Sequence, residues 1–283
     1  LIRCQPIGVF DSGVGGFTVA REVFRQLPGE EILYFADTAH VPYGPRPADE
    51  LIRFAFEIVT FLISEGAKLI LVACNTSSSL ALDLLQERFS VPIVGVVNPG
   101  AEEAVSVSKN GRIGVLATEA TIRKGAHAQR IFELNGRAKV FGQACPRFVP
   151  LVETGSYLGS EARQASREYL TPLLEKNIDT IILGCTHYPF LEPIIRDTIG
   201  EEIALVDPAC QTVAQGKELI EKGIVSPRDP RLGKPRHRFY VSGDPQAFIR
   251  VGSPLIGGRL LSDVQQVCLD GILDRENQKV VIA

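Results

Sequence analysis

Two segments of the chain end an apolar run on a thiol. Lys68 to Ser79 reads KLILVACNTSSS, and Thr180 to Phe190 reads TIILGCTHYPF. Five of the six residues before Cys74 are apolar, and small hydrogen-bonding side chains follow it. Backbone amides at a strand-to-helix turn favour an anion, a thiolate included. The helix after Cys74 is expected to begin at once, whereas Pro189 and Pro193 should delay the one after Cys185. Three chemistries use two distant cysteines. A redox pair is one, although such pairs usually come as CxxC, which this chain lacks. A zinc site built from Cys74, Cys185 and His187 is another, but it needs a fourth ligand and lacks the usual closely spaced pairs. The third is acid–base work at carbon. One thiolate takes a proton and a thiol on the opposite side delivers one, which inverts a stereocentre. That chemistry needs the two sulfurs across a cleft, not adjacent.

Other groups fall into place around the thiols. Phe10 to Gly16 reads FDSGVGG. A GxGxxG dinucleotide loop would need glycine at position 18, which is Thr18. A short turn binding an anion or polar ligand is expected instead; the plainer alternative is a tight turn with glycines at positive φ. Asp11 should lie near Cys74, because both end strands of one unit, and could hold a substrate ammonium or relay a proton. The loop Asp37–Pro47, DTAHVPYGPRP, is long and stiffened by three prolines. Tyr43 and Gly44 within it could wall a pocket, and His40 is expected to be structural or solvated. His187 is the obvious proton partner of Cys185. Glu153, in PRFVPLVETG, is a weaker candidate. Cys4, Cys145, Cys210 and Cys268 read as small buried hydrophobes. Arg123-Lys124 and Arg228–Arg231 read as solvated charge.

These groups need a scaffold that brings strand ends together. Apolar runs at Pro6–Phe10, Glu31–Ala36, Lys68–Ala73, Pro92–Val97, Arg112–Ala117, Ala138–Gly142, Asp179–Gly184, Ile203–Asp207 and Arg238–Ser242 are continuous rather than alternating, as in strands covered on both faces. Amphipathic helical patterns lie between them at Gly16–Leu27, Asp49–Glu65 and Ser78–Phe89. The alternation predicts an α/β fold with parallel sheets. IGVFDSG at residue 7 resembles IGVLATE at 113, and LILVACNT at 69 resembles TIILGCTH at 180, offsets of 106 and 111. Two copies of one unit are therefore expected, each presenting the carboxyl ends of its strands to a shared cleft. Val97–Gly100 and Val206–Pro208 are the candidate crossings. The predicted division is 1–97 with 208–283, carrying Asp11 and Cys74, and 98–207, carrying Glu153, Cys185 and His187.

The totals suit that picture. The 283 residues are 45% hydrophobic and 22% charged, with a net charge of -3. There is no basic excess to attract nucleic acid or an anionic membrane, and no run approaches the roughly 20 apolar residues of a membrane span. The opening LIRCQPIGVF shows no basic segment before a long apolar run, so no secretory signal is expected. Thinly spread cysteines favour a reducing, cytoplasmic setting.

GVFDSGVGG, ADTAHVPYG, VACNTSSS, IGVLAT, PLVETG and GCTHYPFL, in that order, closely resemble the glutamate racemases of the aspartate/glutamate racemase family. Weaker similarity continues through VDPA and HRFYVSGDP. The resemblance implies two α/β domains with the ligand between them and no cofactor or metal. It implies that Cys74 and Cys185 are the catalytic acid–base pair, with Asp11 beside the first and Glu153 and His187 attending the second. Asp11, Ser12, Tyr43, Gly44, Asn75, Thr76, Thr118, Thr121, Thr186 and His187 would contact the substrate, L- or D-glutamate. A homodimer is left open. Relatives often carry Ala where this chain has Ser77, a change expected to matter little. None of the catalytic segments contains Lys or Arg, so an α-carboxylate would be held by amides and hydroxyls at helix starts. The rival readings are a racemase for aspartate or a related amino acid, which more often has Glu at the position of His187, and a non-catalytic two-lobed amino-acid-binding protein.

Overall fold

The computed structural model describes residues 5–257, 261, 263–269 and 272. Cys4 lies outside them.

Two all-parallel sheets carry the fold. The first contains β1 (Ile7–Asp11), β2 (Ile32–Ala36), β3 (Leu69–Val72), β4 (Ile93–Gly95), β9 (Arg238–Val241) and β10 (Val264–Gln266), in the order β10-β9-β2-β1-β3-β4. The second contains β5 (Arg112–Ala117), β6 (Lys139–Ala144), β7 (Thr180–Gly184) and β8 (Ala204–Val206), in the order β6-β5-β7-β8.

The continuous apolar runs are explained by helices on both faces. On one side of the first sheet, Val9, Tyr34 and Leu71 join a core with Phe17 and Val23 of α1 (Phe17–Gln26) and Val213 of α10 (Ala209–Glu221). On the other side, Phe10, Phe35 and Val72 pack with Ile58 and Leu62 of α2 (Ala48–Ser64) and Leu85 of α3 (Asn75–Arg88). Alternate residues of each strand thus point into different layers, as the pleat requires. In the second sheet, Val115 and Ile182 meet Ala101 and Ala104 of α4 (Val97–Val107) and Ile131 of α6 (Ala126–Leu134). Its opposite face packs against α7 (Phe148–Glu153), α8 (Ser160–Leu174) and α9 (Glu192–Ile199).

The chain passes between the sheets twice. It leaves the first through α4 and returns after β8 through Asp207-Pro208 into α10, which packs on α1. At the double crossing, a Cβ on Gly100 would lie 2.8 Å from the Pro208 ring, so the two strands of connection touch.

Several expectations are corrected. Cys145 is buried, but Cys210 is only partly buried and Cys268 is exposed. Cys210 sits beside polar partners, Arg25 and Gln26, and Cys268 lies on the stretch leading away from β10. Arg228 is not solvated: its side chain is 4% exposed and pairs with Glu31 at 2.9 Å. The helix after Cys74 does begin at once, at Asn75, three residues before its apolar periodicity.

Candidate active site

The site forms where the carboxyl ends of the central strands meet. β1 and β3 are neighbours, with Phe10 opposite Val72, so Asp11 and Cys74 leave the first sheet side by side. β5 and β7 are neighbours, with Ala117 opposite Gly184, so Thr118 and Cys185 leave the second sheet likewise. Cys74 caps α3, whose first turn supplies Asn75, Thr76 and Ser77. Cys185 is followed by a 3-10 turn at Tyr188–Leu191 and only then by α9, in keeping with the two prolines.

Each thiol has its own helper. Burial pushes the Cys74 thiol up to about 12, the charge of Asp11 adds to this, and the amide and hydroxyl of Ser77 pull the other way. Asp11 is itself raised, burial outweighing the nearby His187 and its hydrogen bonds from Gly13, Thr186 and Gly16. On the other side, His187 Nδ1 lies 3.7 Å from Cys185 Sγ, and Nε2 lies 2.6 Å from Glu153 Oε1. Burial opposes the imidazolium, but the hydrogen bonds to Cys185 and Glu153 outweigh it and hold the His187 pKa well above its ordinary value. Both ring N–H groups of the charged form then have acceptors.

The glycine turn is not the positive-φ turn of the plainer alternative. Gly13, Gly15 and Gly16 do not adopt positive φ. The amides of Gly13 and Gly16 do bind an anion, but it is the carboxylate of Asp11, at 3.1 and 3.0 Å. The glycines are needed for close approach. A Cβ at Gly13 would collide with the Glu153 carboxylate, one at Gly15 with Thr186 and His187, and one at Gly16 with Asp11 and Tyr34. Gly13, Gly15 and Gly16 thus make room for three ionisable side chains, Glu153, His187 and Asp11.

Four contacts close the cleft. Thr186 Oγ1 donates to Asp11 Oδ1 at 3.0 Å. The Val14 amide donates to Glu153 Oε1 at 3.0 Å. Thr76 Oγ1 lies 3.0 Å from Thr118 Oγ1 and 3.2 Å from Thr121 Oγ1, and the last two are 3.0 Å apart, a triangle of hydroxyls. Gly44 packs on Thr118, where an added Cβ would come within 3.3 Å. Ser12 is buried in the turn, and Asn75 Oδ1 is buried without a hydrogen-bond partner among the described residues. The two thiols are 5% and 6% exposed, so the halves are shut over the site. No set of three or more His, Cys, Asp and Glu among the described residues is arranged to hold a metal ion.

Sequence reasoning passed over Asp37. Its Oδ2 accepts from Tyr43 Oη at 2.5 Å, and Oδ1 lies 2.7 Å from His40 Nδ1 and accepts from Ser242 Oγ at 2.7 Å. His40 also stacks on Phe54, ring centroids 4.0 Å apart, which makes it structural. The signal available was Asp37 at the end of a strand run, the same placement that singled out Asp11.

Comparison with known proteins agrees with this geometry. The family model for Asp/Glu/hydantoin racemase matches residues 7–216. A glutamate racemase of Desulforudis audaxviator is 49% identical over 93% of this chain and 97% of its own. Among solved structures, a glutamate racemase isoform from Bacillus anthracis superposes with a TM-score of 0.87 at 39% identity, covering 94% of this chain and 98% of that one. A Francisella tularensis glutamate racemase in complex with D-glutamate gives a TM-score of 0.86 at 34% identity, covering 95% and 99%. With paired thiols at matched strand ends, two parallel-sheet domains and relatives alike over nearly the whole chain, this chain belongs to the Asp/Glu/hydantoin racemase family.

Proposed function

We propose that the chain interconverts L- and D-glutamate by a two-thiol, cofactor-independent exchange of the α-proton, in the cytoplasm, where D-glutamate enters peptidoglycan synthesis. The observation that carries the reading is that Cys74 and Cys185 end neighbouring-strand pairs in different sheets, yet both lie buried at the seam that the Thr186–Asp11 hydrogen bond closes. The functional halves are 1–97 with 208–283, and 98–207, a division supported by which strands join which sheet.

In one direction, one sulfur as thiolate takes the proton from Cα while the other, as thiol, returns a proton to the opposite face. The two sulfurs finish with their protonation exchanged, and proton exchange with solvent through Asp11 and His187 restores them for the next turnover. Asp11 serves as the local base for Cys74. His187, held by Glu153, moves the proton at Cys185. The α-carbon proton is feebly acidic, so the carbanionic transition state needs preorganised dipoles. The start of α3 and the hydroxyls of Thr76, Thr118, Thr121 and Thr186 supply donors without a long cationic side chain. The buried, unpartnered Asn75 Oδ1 is an acceptor suited to the substrate ammonium. Because the site is shut, the halves must part to admit substrate.

The test is incubation of the purified protein with L-glutamate in D2O without added cofactor, followed by chiral analysis and mass. D-glutamate carrying deuterium at Cα is expected. Glutamate that keeps its hand and its hydrogen, while aspartate exchanges, would transfer the reading to another substrate; no exchange with any amino acid would end it.

A further inference from the structure

Tyr34, fully buried on β2, takes no part in the proton transfers proposed for the two thiols. Its ring packs among Phe17, Phe239 and Phe248, with centroids 4.9, 6.1 and 6.2 Å away. That aromatic floor accounts for the ring but not for the hydroxyl. A buried phenol needs an acceptor, and Tyr34 Oη donates to the Gly13 carbonyl at 2.9 Å.

The carbonyl of Gly13 and the amide of Val14 belong to one peptide group. That group is planar, with C=O and N–H pointing opposite ways, so fixing one end aims the other. The Val14 amide donates to Glu153 Oε1 at 3.0 Å, and the same oxygen lies 2.6 Å from His187 Nε2. His187 Nδ1 in turn lies 3.7 Å from Cys185 Sγ. A continuous path thus runs from a phenol in the first half, through a single peptide, to the thiol of the second. Hydrogen bonds in series polarise one another, most strongly where water is excluded. We propose that Tyr34 is a positioning residue for the acid–base group at Cys185: its hydroxyl sets the Gly13–Val14 peptide, which holds Glu153 and through it His187. Without that hydroxyl the peptide can tilt, because Gly13 has no side chain to wedge it.

The other thiol is less exposed to the change. Asp11 is held by the amides of Gly13 and Gly16 and by Thr186, and the Gly13 amide belongs to the preceding peptide. The inference rests on the reading of Glu153 and His187 as the proton-transfer pair of Cys185; the hydrogen-bond path itself does not.

A double-mutant cycle tests the assignment. Tyr34→Phe should lower kcat for racemisation about tenfold. In a Glu153→Ala background the same change should cost less than about twofold, whereas beside Asp11→Asn it should keep its full effect. Equal losses with and without Glu153, or suppression by Asp11→Asn instead, overturn the proposal. Phe248→Leu loosens the same ring stack and leaves the hydroxyl in place. It should lower Tm at least as much as Tyr34→Phe with little change in kcat; a comparable loss of kcat would assign the effect to packing and overturn the proposal. The 15N-resolved amide signal of Val14 reads the path without turnover. Tyr34→Phe keeps the ring, and should move the Val14 amide proton upfield and speed its exchange with solvent. The Thr121 amide of α5 (Glu119–Lys124), which donates to Thr118 Oγ1 in the same cleft, should stay put. Tyr34→3-fluorotyrosine, a stronger donor of nearly the same shape, should move the Val14 signal downfield, and it decides the matter should Tyr34→Phe not fold. A Val14 signal that both replacements leave unmoved overturns the path. Loss of racemisation in wild-type protein would instead count against the proposed function, and the Val14 signal would still decide whether the hydroxyl sets the peptide.

Discussion

Thr186 Oγ1 donates a 3.0 Å hydrogen bond to Asp11 Oδ1, across 175 positions of sequence. The residue after one thiol thus secures the carboxylate whose charge acts on the other thiol. Each acid–base partnership lies within one half but is braced by the other, Asp11 by Thr186 and Glu153 by the Val14 amide.

Asp11→Asn tests that dependence through Cys74. With a thiol pKa of about 12, the thiolate fraction at pH 7 is on the order of one in 10⁵. Removing the neighbouring anion should lower that pKa and speed alkylation of Cys74 by iodoacetamide, read by mass spectrometry against pH. Racemisation should nevertheless fall about 10²-fold, because the local base is gone. Slower alkylation with an unchanged pH dependence would show that Asp11 does not act on this sulfur.

Cys74→Ser and Cys185→Ser should each lower racemisation by about 10²–10⁴-fold. Each variant should retain elimination of a good leaving group from a substrate analogue, a reaction that needs only one proton abstraction. Wild-type racemisation in both single variants would refute the paired-thiol mechanism.

Gly15→Ala should keep the halves from closing, because the new methyl meets Thr186 and His187. A misplacement of about 1 Å at the acid–base groups costs on the order of 10²-fold in rate. The backbone there is unstrained, so thermal stability should fall far less than activity. A large drop in Tm with proportionate loss of activity would point to a folding defect instead.

His187 makes stability depend on pH. Its folded-state pKa lies above the unfolded value of about 6.5, because Cys185 and Glu153 together outweigh burial. The stabilisation is complete below about pH 6.5 and disappears as pH climbs through the folded-state pKa. The Tm gap between wild type and His187→Asn should therefore be widest near pH 6 and narrow towards pH 10. A gap that widens with pH would mean that the ring is buried neutral.

Asp37→Asn should destabilise the fold by about 1–3 kcal/mol, since Tyr43, His40 and Ser242 lose a shared charged acceptor. Urea unfolding measures the loss. The KM for glutamate should rise as well, because Tyr43 is no longer fixed; an unchanged KM would remove the loop from substrate binding.

Much of this was legible from residue order. Continuous apolar runs marked β1 to β9 within a residue or two, because strands covered on both faces leave no alternation to blur their ends. The thiols and Asp11 were legible because each follows such a run, whereas Thr118 came only through the family resemblance. The short β10 was not, since Val264–Gln266 holds a single apolar residue and pairs only with β9. Glu153 read weakly because its role comes from Val14 and His187, 139 and 34 positions away. The glycine turn was misread in its reason: close approach by a distant element leaves no local signature to tell it from a positive-φ turn. Tyr34 read only as part of an apolar run, because its partner, Gly13, lies 21 positions away.

The connection that runs out through α4 and back through Pro208 is a two-stranded spine. A hinge along that edge, where Gly100 and Pro208 abut, would open the pair on its far side, like a book. Bulk added at that seam, far from any thiol, would wedge the covers.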